Sequence, residues 1–280
     1  MRLRRVVLLL ATAAAGAVFA LPAAAAPPLA AVHTWAFGIG DGTLTGDVRA
    51  RFAGYDLVVL DGEIATAAQV AALHRDGTVV LAYLDAGTIE PYRSWYPAAK
   101  RYRLGYWPEW KEWYANVRAP VYRALLTRVA RTLLAKGFDG LFLDNVDMVE
   151  THPRQAAGMK ALVAALSRLA HAGHGYLFAQ NGENAIGPLV RYLDGWNRED
   201  VSRTYAGGRY VPVSRTGRTQ AVAALRRLHA AGLLVLATDY TAARAAAGAR
   251  AAVRTACNAG ALPFVSDLEL TRIPQPPPRC

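Results

Sequence analysis

Short apolar runs alternate with amphipathic stretches along this 280-residue chain. Eight runs read as strands: residues 32–39, 56–61, 78–84, 138–144, 174–180, 192–196, 233–238 and 262–266, the sixth being the weakest. Most are apolar almost without interruption, as in Leu57-Val58-Val59-Leu60. Such runs indicate burial on both faces and therefore a parallel sheet. Between them, residues 64–75, 120–136, 154–171, 218–231 and 241–257 place apolar side chains three and four apart, the spacing of helices packed by one face. Gly137, Gly173, Gly232 and Gly260 follow four of these helices, where a left-handed residue commonly ends a helix. Eight strands with intervening helices predict an α/β fold, a single-domain (β/α)8 TIM barrel. The competing arrangement is a doubly wound open sheet. No G-x-G-x-x-G follows the first strand, which counts against its dinucleotide-binding form.

The pattern also sets the expected boundaries. Residues 1–26 carry Arg2, Arg4 and Arg5, an uncharged apolar run from Val6 to Ala20, and small residues ending at Ala26. That is the design of a cleaved secretory signal peptide. The run is short for a membrane-spanning helix, which needs roughly 20 residues. No later segment is apolar enough to span, so no membrane span is expected after cleavage. Residues 27–270 are assigned to the barrel and 271–280 to a proline-rich tail. The protein is expected to be secreted or retained in the periplasm or cell envelope, as a monomer. Residues 85–117, after the third strand, form the one long insertion.

Charge narrows the partners. The full chain carries +11, and removing the leader's three arginines leaves +8. Much of the excess is arginine on alanine-rich helices, such as Arg226 and Arg227, and reads as solvated helix surface. There is no zinc finger, RNA-binding signature or dense basic stripe, so no nucleic-acid partner is expected. Export permits a disulfide between the two cysteines, Cys257 and Cys280, but two free thiols fit the sequence almost as well.

Candidate chemistry lies at the strand ends. In a barrel of this kind, catalytic groups sit at the C-terminal ends of strands and in the loops that follow. The polar residues there are Trp35, Asp61 and Glu63, Tyr83 and Asp85, Asp144 with Asn145 and Asp147, Asn181 and Glu183, Glu199, Asp239 and Tyr240, and Asp267. A ring of carboxylates around one mouth suits glycoside hydrolysis. In that reaction one acid protonates the leaving oxygen and a second carboxylate attacks or activates water. Asp144 ends an apolar strand and is the leading candidate; its competing role is a helix cap. Glu199 and Glu183 are equal rivals for the second position. Asp139, at the start of its strand, reads as structural.

The insertion holds nine aromatics: Tyr92, Trp95, Tyr96, Tyr102, Tyr106, Trp107, Trp110, Trp113 and Tyr114. Sugar rings stack their C–H faces on such side chains, so an aromatic lid beside an acidic mouth suits a saccharide. More than half of the nine are expected to pack as core and one or two to line the cleft. Metal catalysis is disfavoured because the six histidines are scattered, so no metal and no cofactor are expected. No G-x-S-x-G is present for a serine hydrolase.

At these residues the chain resembles glycoside hydrolase family 114, the endo-α-1,4-polygalactosaminidase family, over nearly all of residues 32–267. The most specific segment is Gly137-Phe-Asp-Gly-Leu-Phe-Leu-Asp-Asn-Val-Asp147. Residues 55–61, 80–90 with Tyr92-Arg93, 112–113, 180–181, 196–199 and 238–240 add weight by their order. The resemblance implies a TIM barrel acting on an amino-sugar polymer, with Asp144 as nucleophile and the acid after the sixth strand, Glu199, as general acid/base. Trp35, Asp61, Tyr83, Asp85, Asn145, Asp147, Asn181, Glu183, Asp239 and Tyr240 are then candidates for substrate binding. An endo-acting, retaining glycosidase is expected. The alternative is a non-catalytic saccharide-binding barrel of the envelope. A polymer with free amino groups is cationic and would be repelled at long range by a chain of +8. Carboxylates inside a cleft can dominate, since exposed charges are screened beyond about 8 Å.

Overall fold

The computed structural model describes residues 27–280; the expected signal peptide lies outside the described residues. Eight strands form one parallel sheet in chain order: β1 (Trp35–Gly38), β2 (Leu57–Asp61), β3 (Val79–Asp85), β4 (Gly140–Asp144), β5 (Tyr176–Gln180), β6 (Gly195–Glu199), β7 (Leu234–Tyr240) and β8 (Leu262–Ser266). The Trp35 indole donates from Nε1 to the Leu262 carbonyl at 2.9 Å and draws β8 back beside β1. The sheet is thereby nearly closed into the TIM barrel expected from the sequence.

The helices lie between the strands. Ala67–His74 starts at a capping box, in which Thr66 accepts from the Gln69 backbone N–H and Gln69 answers. Pro120–Leu134, Ala156–Ala172, Arg215–Ala230 and Ala246–Asn258 complete the main set. Gly137, Gly232 and Gly260 have the expected left-handed φ, but after Ala156–Ala172 the left-handed residue is His174 (φ 58°) rather than Gly173.

Inside the barrel, aromatic side chains from several strands fill the space. Phe37 and Phe142 lie with ring centroids 5.0 Å apart, and Trp35 and Phe264 5.5 Å apart. Gly195 faces the Phe178 ring, and a Cβ at that position would overlap it. Only glycine lets β6 pass this close.

Three features were not foreseen. The sixth strand is later than expected: residues 187–192 form a 3-10 turn and the strand runs Gly195–Glu199, so Glu199 is its last residue. Its polar Asn197, Arg198 and Glu199 hid it from an apolar-run criterion. A short antiparallel hairpin, Arg203–Ala206 with Arg209–Pro212, follows it. The 85–117 insertion folds as a three-stranded antiparallel sheet of Thr88–Ile89, Glu112–Ala115 and Arg103–Trp107, with Glu112–Ala115 central.

The C-terminal tail is fastened down. The Tyr55 hydroxyl donates to the Pro274 carbonyl at 2.6 Å, and Gln275 Nε2 donates to the Arg51 carbonyl at 2.9 Å. Cys257 and Cys280 form a disulfide with their Cα atoms 5.3 Å apart, tying the chain end to the last helix.

Candidate active site

A cleft of about 520 Å³ opens at the C-terminal rim of the barrel. Asp144 and Glu199 both line it, from the ends of β4 and β6. The residues after β4, β5 and β6 are Asn145, Asn181 and Asp200, all in the left-handed region at φ 54°, 57° and 54°. Asn and Asp tolerate this conformation better than other side chains. Each turns the backbone sharply at the rim, immediately after the side chain presented to the cleft.

The two carboxylates are held alike. Asp144 Oδ2 accepts from the Tyr83 hydroxyl at 2.6 Å, and Oδ1 accepts from Gln180 Nε2 and from the Asn145 backbone N–H, each at 2.6 Å. Glu199 Oε2 accepts from Asn181 Nδ2 at 2.7 Å, and Oε1 accepts from the Tyr240 hydroxyl. Burial and then the charge of Glu199 push the Asp144 carboxyl above its usual range, while its three donors oppose the rise. Burial also pushes Glu199 up, opposed by Tyr240 and Asn181. The two groups are therefore electrostatic neighbours within one cleft.

Of the other candidates, Asp61, Tyr83, Asn145, Asp147, Asn181 and Tyr240 line the cleft. Asp147 is raised to about 7, first by burial and then by Asp144. Four candidates do not line it. Trp35 is wholly buried and its indole N–H closes the barrel. Asp85 is buried and accepts from the Gly87 and Thr88 N–H groups (3.0 and 2.7 Å) and from Asn145 Nδ2 (2.8 Å). Asp239 is buried and accepts from the Ser202 and Arg203 N–H groups at 2.7 and 2.6 Å, fixing the loop after β6. Glu183 pairs with Arg198 (Oε2 to Nε, 3.1 Å) and stays out of the cleft that Glu199 lines. A strand-end rule locates backbone and not side-chain direction. Successive residues face opposite sides, so Tyr240 reaches the cleft while its neighbour Asp239 turns away.

Gln180, Glu90, Arg93 and Glu112 lie in segments that carry the family resemblance, but the sequence did not single them out as site residues. Gln180 was visible as the single polar residue ending an apolar strand. Arg93 is buried and joins two acids: Nη1 lies 2.7 Å from Asp61 Oδ2, and Nε lies 2.5 Å from Glu90 Oε2. Its guanidinium also sits 4.9 Å from the centre of the Tyr92 ring.

Asp85, Glu90 and Glu112 bring carboxylate oxygens within 4.8 Å of one another, the arrangement best able to hold a cation among the described residues. Their partners already occupy it. Arg93 takes Glu90, and the Thr88 hydroxyl lies within hydrogen-bond reach of both Asp85 and Glu112. One hydroxyl proton serves one acceptor, so the second carboxyl must bring its own. Burial, then Asp85, pushes Glu112 up to about 8.

Five of the nine insertion aromatics pack against the core, Trp95 fully and Tyr96, Tyr102, Trp113 and Tyr114 partly. Tyr92, Trp107 and Trp110 line the cleft, one more than expected.

A carboxylate pair on separate strands of a parallel barrel, facing a cleft with aromatic walls, belongs to the chemistry of glycosidic bonds, and the enzyme is a glycoside hydrolase. Its family follows from comparison: the model of glycoside-hydrolase family GH114 matches residues 15–276, and the chain belongs to that family. A variant of the glycoside hydrolase domain of PelA from Pseudomonas aeruginosa is 25% identical, with a TM-score of 0.74 over 86% of this chain and 96% of that one. Ega3 from Aspergillus fumigatus, solved in complex with galactosamine, is 19% identical with a TM-score of 0.68, covering 92% and 97%. An uncharacterized protein of Deinococcus radiodurans is 26% identical over 279 residues, 90% of this chain and 86% of that one.

Proposed function

We propose that this glycoside hydrolase cleaves an α-1,4-linked galactosamine-type polysaccharide, endo-acting and with retention of anomeric configuration, after export from the cytoplasm. The observation that carries the reading is the pair at the rim: Asp144 and Glu199 face one cleft, each held by a tyrosine and a carboxamide. Asp144 accepts three hydrogen bonds, one from a backbone N–H, and these favour its ionised form. That suits the nucleophile, which attacks the anomeric carbon while the glycosidic oxygen leaves. Burial raises both carboxyls, but Glu199 has no backbone donor at its carboxyl oxygens among the described residues and so has one bond fewer favouring its ionised form. That suits the acid, which gives its proton to the leaving oxygen. Glu199 then takes a proton from water as the water attacks the glycosyl ester on Asp144.

The amino-sugar preference draws on two observations. Ega3, a structural neighbour, holds galactosamine. The cleft wall carries nine acidic side chains against one basic one, Arg93, among the described residues. Local charge thus favours an ammonium group although the chain as a whole is positive. Export is supported by the Cys257–Cys280 disulfide, a bond that persists in oxidising compartments.

The test is hydrolysis of partially deacetylated α-1,4-galactosaminan by the wild type, Asp144→Asn and Glu199→Gln. Wild-type release of internal fragments, lost in both variants with folding intact, supports the reading. Undiminished turnover by either variant, or no turnover of any galactosaminan by the wild type, rejects it.

A further inference from the structure

We propose that Thr238 is a positioning residue for this reaction, acting on Asp144 through a buried chain of two carboxamides. The proposal rests on Asp144 being the reacting carboxylate. The Thr238 hydroxyl lies 3.1 Å from Asn197 Oδ1, Asn197 Nδ2 lies 3.2 Å from Gln180 Oε1, and Gln180 Nε2 lies 2.6 Å from Asp144 Oδ1. The chain crosses four adjacent strands, β7, β6, β5 and β4. Thr238 and Asn197 are fully buried and Gln180 is nearly so.

The direction of this chain is set by charge. A carboxamide has one donating and one accepting end. An ionised Asp144 can only accept, so Gln180 must turn Nε2 toward it and Oε1 away. Gln180 Oε1 then needs a donor and finds Asn197 Nδ2. That leaves Asn197 Oδ1 facing Thr238, whose hydroxyl supplies the last proton. With Asp144 protonated, the same chain can run in reverse: the carboxyl donates to Gln180, both amides turn over, and the Thr238 hydroxyl accepts. A hydroxyl is the group that can close the chain in either sense. Burial keeps water from substituting for it, and in a low-dielectric interior successive bonds polarise one another. Asn181 differs, because the Glu199 backbone N–H fixes its amide by donating to Oδ1 at 3.1 Å. Gln180 has no such backbone partner among the described contacts and relies on Thr238.

Several titratable groups also face Asp144: Tyr83 and Asp85 from β3, Glu112 from the insertion, Asp147 from the loop after β4, Glu199 from β6 and Tyr240 from β7. None changes in a Thr238 variant, so a shift in the acid limb of the rate profile reports the chain. Removing its terminal donor weakens stabilisation of ionised Asp144, and the limb moves to higher pH.

The experiment compares wild type, Thr238→Val and Thr238→Ser by steady-state kinetics against pH, with thermal melting as a control on folding. Thr238→Val is expected to lower kcat about three- to tenfold, the worth of one net hydrogen bond, with KM unchanged and the acid limb raised. Thr238→Ser is expected to restore both. If Thr238→Val does not fold, Thr238→Ala removes the same hydroxyl with less demand on packing and carries the same comparison. A folded hydroxyl-less variant with wild-type kcat and acid limb overturns the proposal, as does an equal loss in Thr238→Ser. Asp144→Asn separates the two levels: an active Asp144→Asn sinks the underlying assignment. An inactive Asp144→Asn beside a wild-type-like Thr238→Val sinks only the role of Thr238.

Discussion

Gln180 and Asn181 are neighbours in the chain yet hold different carboxylates, Gln180 Nε2 reaching Asp144 at 2.6 Å and Asn181 Nδ2 reaching Glu199 at 2.7 Å. The left-handed turn at Asn181 makes this division at the end of β5. A tyrosine completes each set: Tyr83 from β3 for Asp144 and Tyr240 from β7 for Glu199.

Tyr83→Phe removes one donor to Asp144 and keeps the ring in the barrel. Hydrogen bonds to charged groups contribute about 1.5–3 kcal/mol, so kcat is expected to fall roughly 10- to 100-fold. KM should change little, because the bond is made to the enzyme's own carboxylate. Steady-state kinetics with a melting control checks this.

Tyr240→Phe tests the proton on Glu199. The Tyr240 hydroxyl lowers the Glu199 pKa against the rise caused by burial. Without it the carboxyl should hold its proton to higher pH. The basic limb of kcat/KM is therefore expected to move upward, whereas the acid limb, assigned to Asp144, should stay. A downward shift of the basic limb would contradict Glu199 as the acid.

Glu112 gives a stability prediction. Its folded carboxyl is pushed from 4.5 up to about 8, so between those values the folded state binds a proton that the unfolded state has released. Stability should then fall as pH rises from about 4.5 to 8. Glu112→Gln keeps the side chain neutral, and its melting temperature should lose this part of the pH dependence. Parallel melting curves for wild type and variant across the window would count against the shared proton beside Thr88.

Arg93 is buried between Asp61 and Glu90. Removing one member of a buried charge set leaves the others uncompensated, at a cost of about 3–5 kcal/mol. Arg93→Met is expected to show that loss in urea denaturation. Adding Glu90→Gln should recover part of it, since one of the two stranded acids is then neutral.

The barrel was legible because its strands are buried on both faces and so appear as unbroken apolar runs. Where that condition fails, the reading drifts. β6 carries Asn197, Arg198 and Glu199 at the mouth, so its apolar signature stops at Trp196 and the strand was placed too early. The place of Asp144 at the rim was legible because it directly follows the apolar run Leu141-Phe142-Leu143 at the C-terminal end of its strand, although a helix cap fitted the same spacing. Glu199 and Glu183 were inseparable by position, since what divides them is the Arg198 contact made by Glu183. Asp85 and Asp239 sit at or near strand ends but turn into the protein, a matter of side-chain direction that spacing does not encode, whereas Trp35 opens β1 at the opposite, N-terminal rim. The Thr238–Asn197–Gln180 chain was invisible for the same reason: its members lie on three different strands and meet only across the sheet.

The most direct test is to trap the intermediate. Glu199→Gln, given a slow fluorinated α-galactosaminyl donor with a good leaving group, should accumulate a glycosyl-enzyme that peptide mass analysis places on Asp144. Magnetic resonance of the first wild-type product should show the α configuration retained. An adduct on any other residue, or a first product of inverted configuration with no adduct, would contradict the assignment of Asp144 and Glu199 as nucleophile and acid/base.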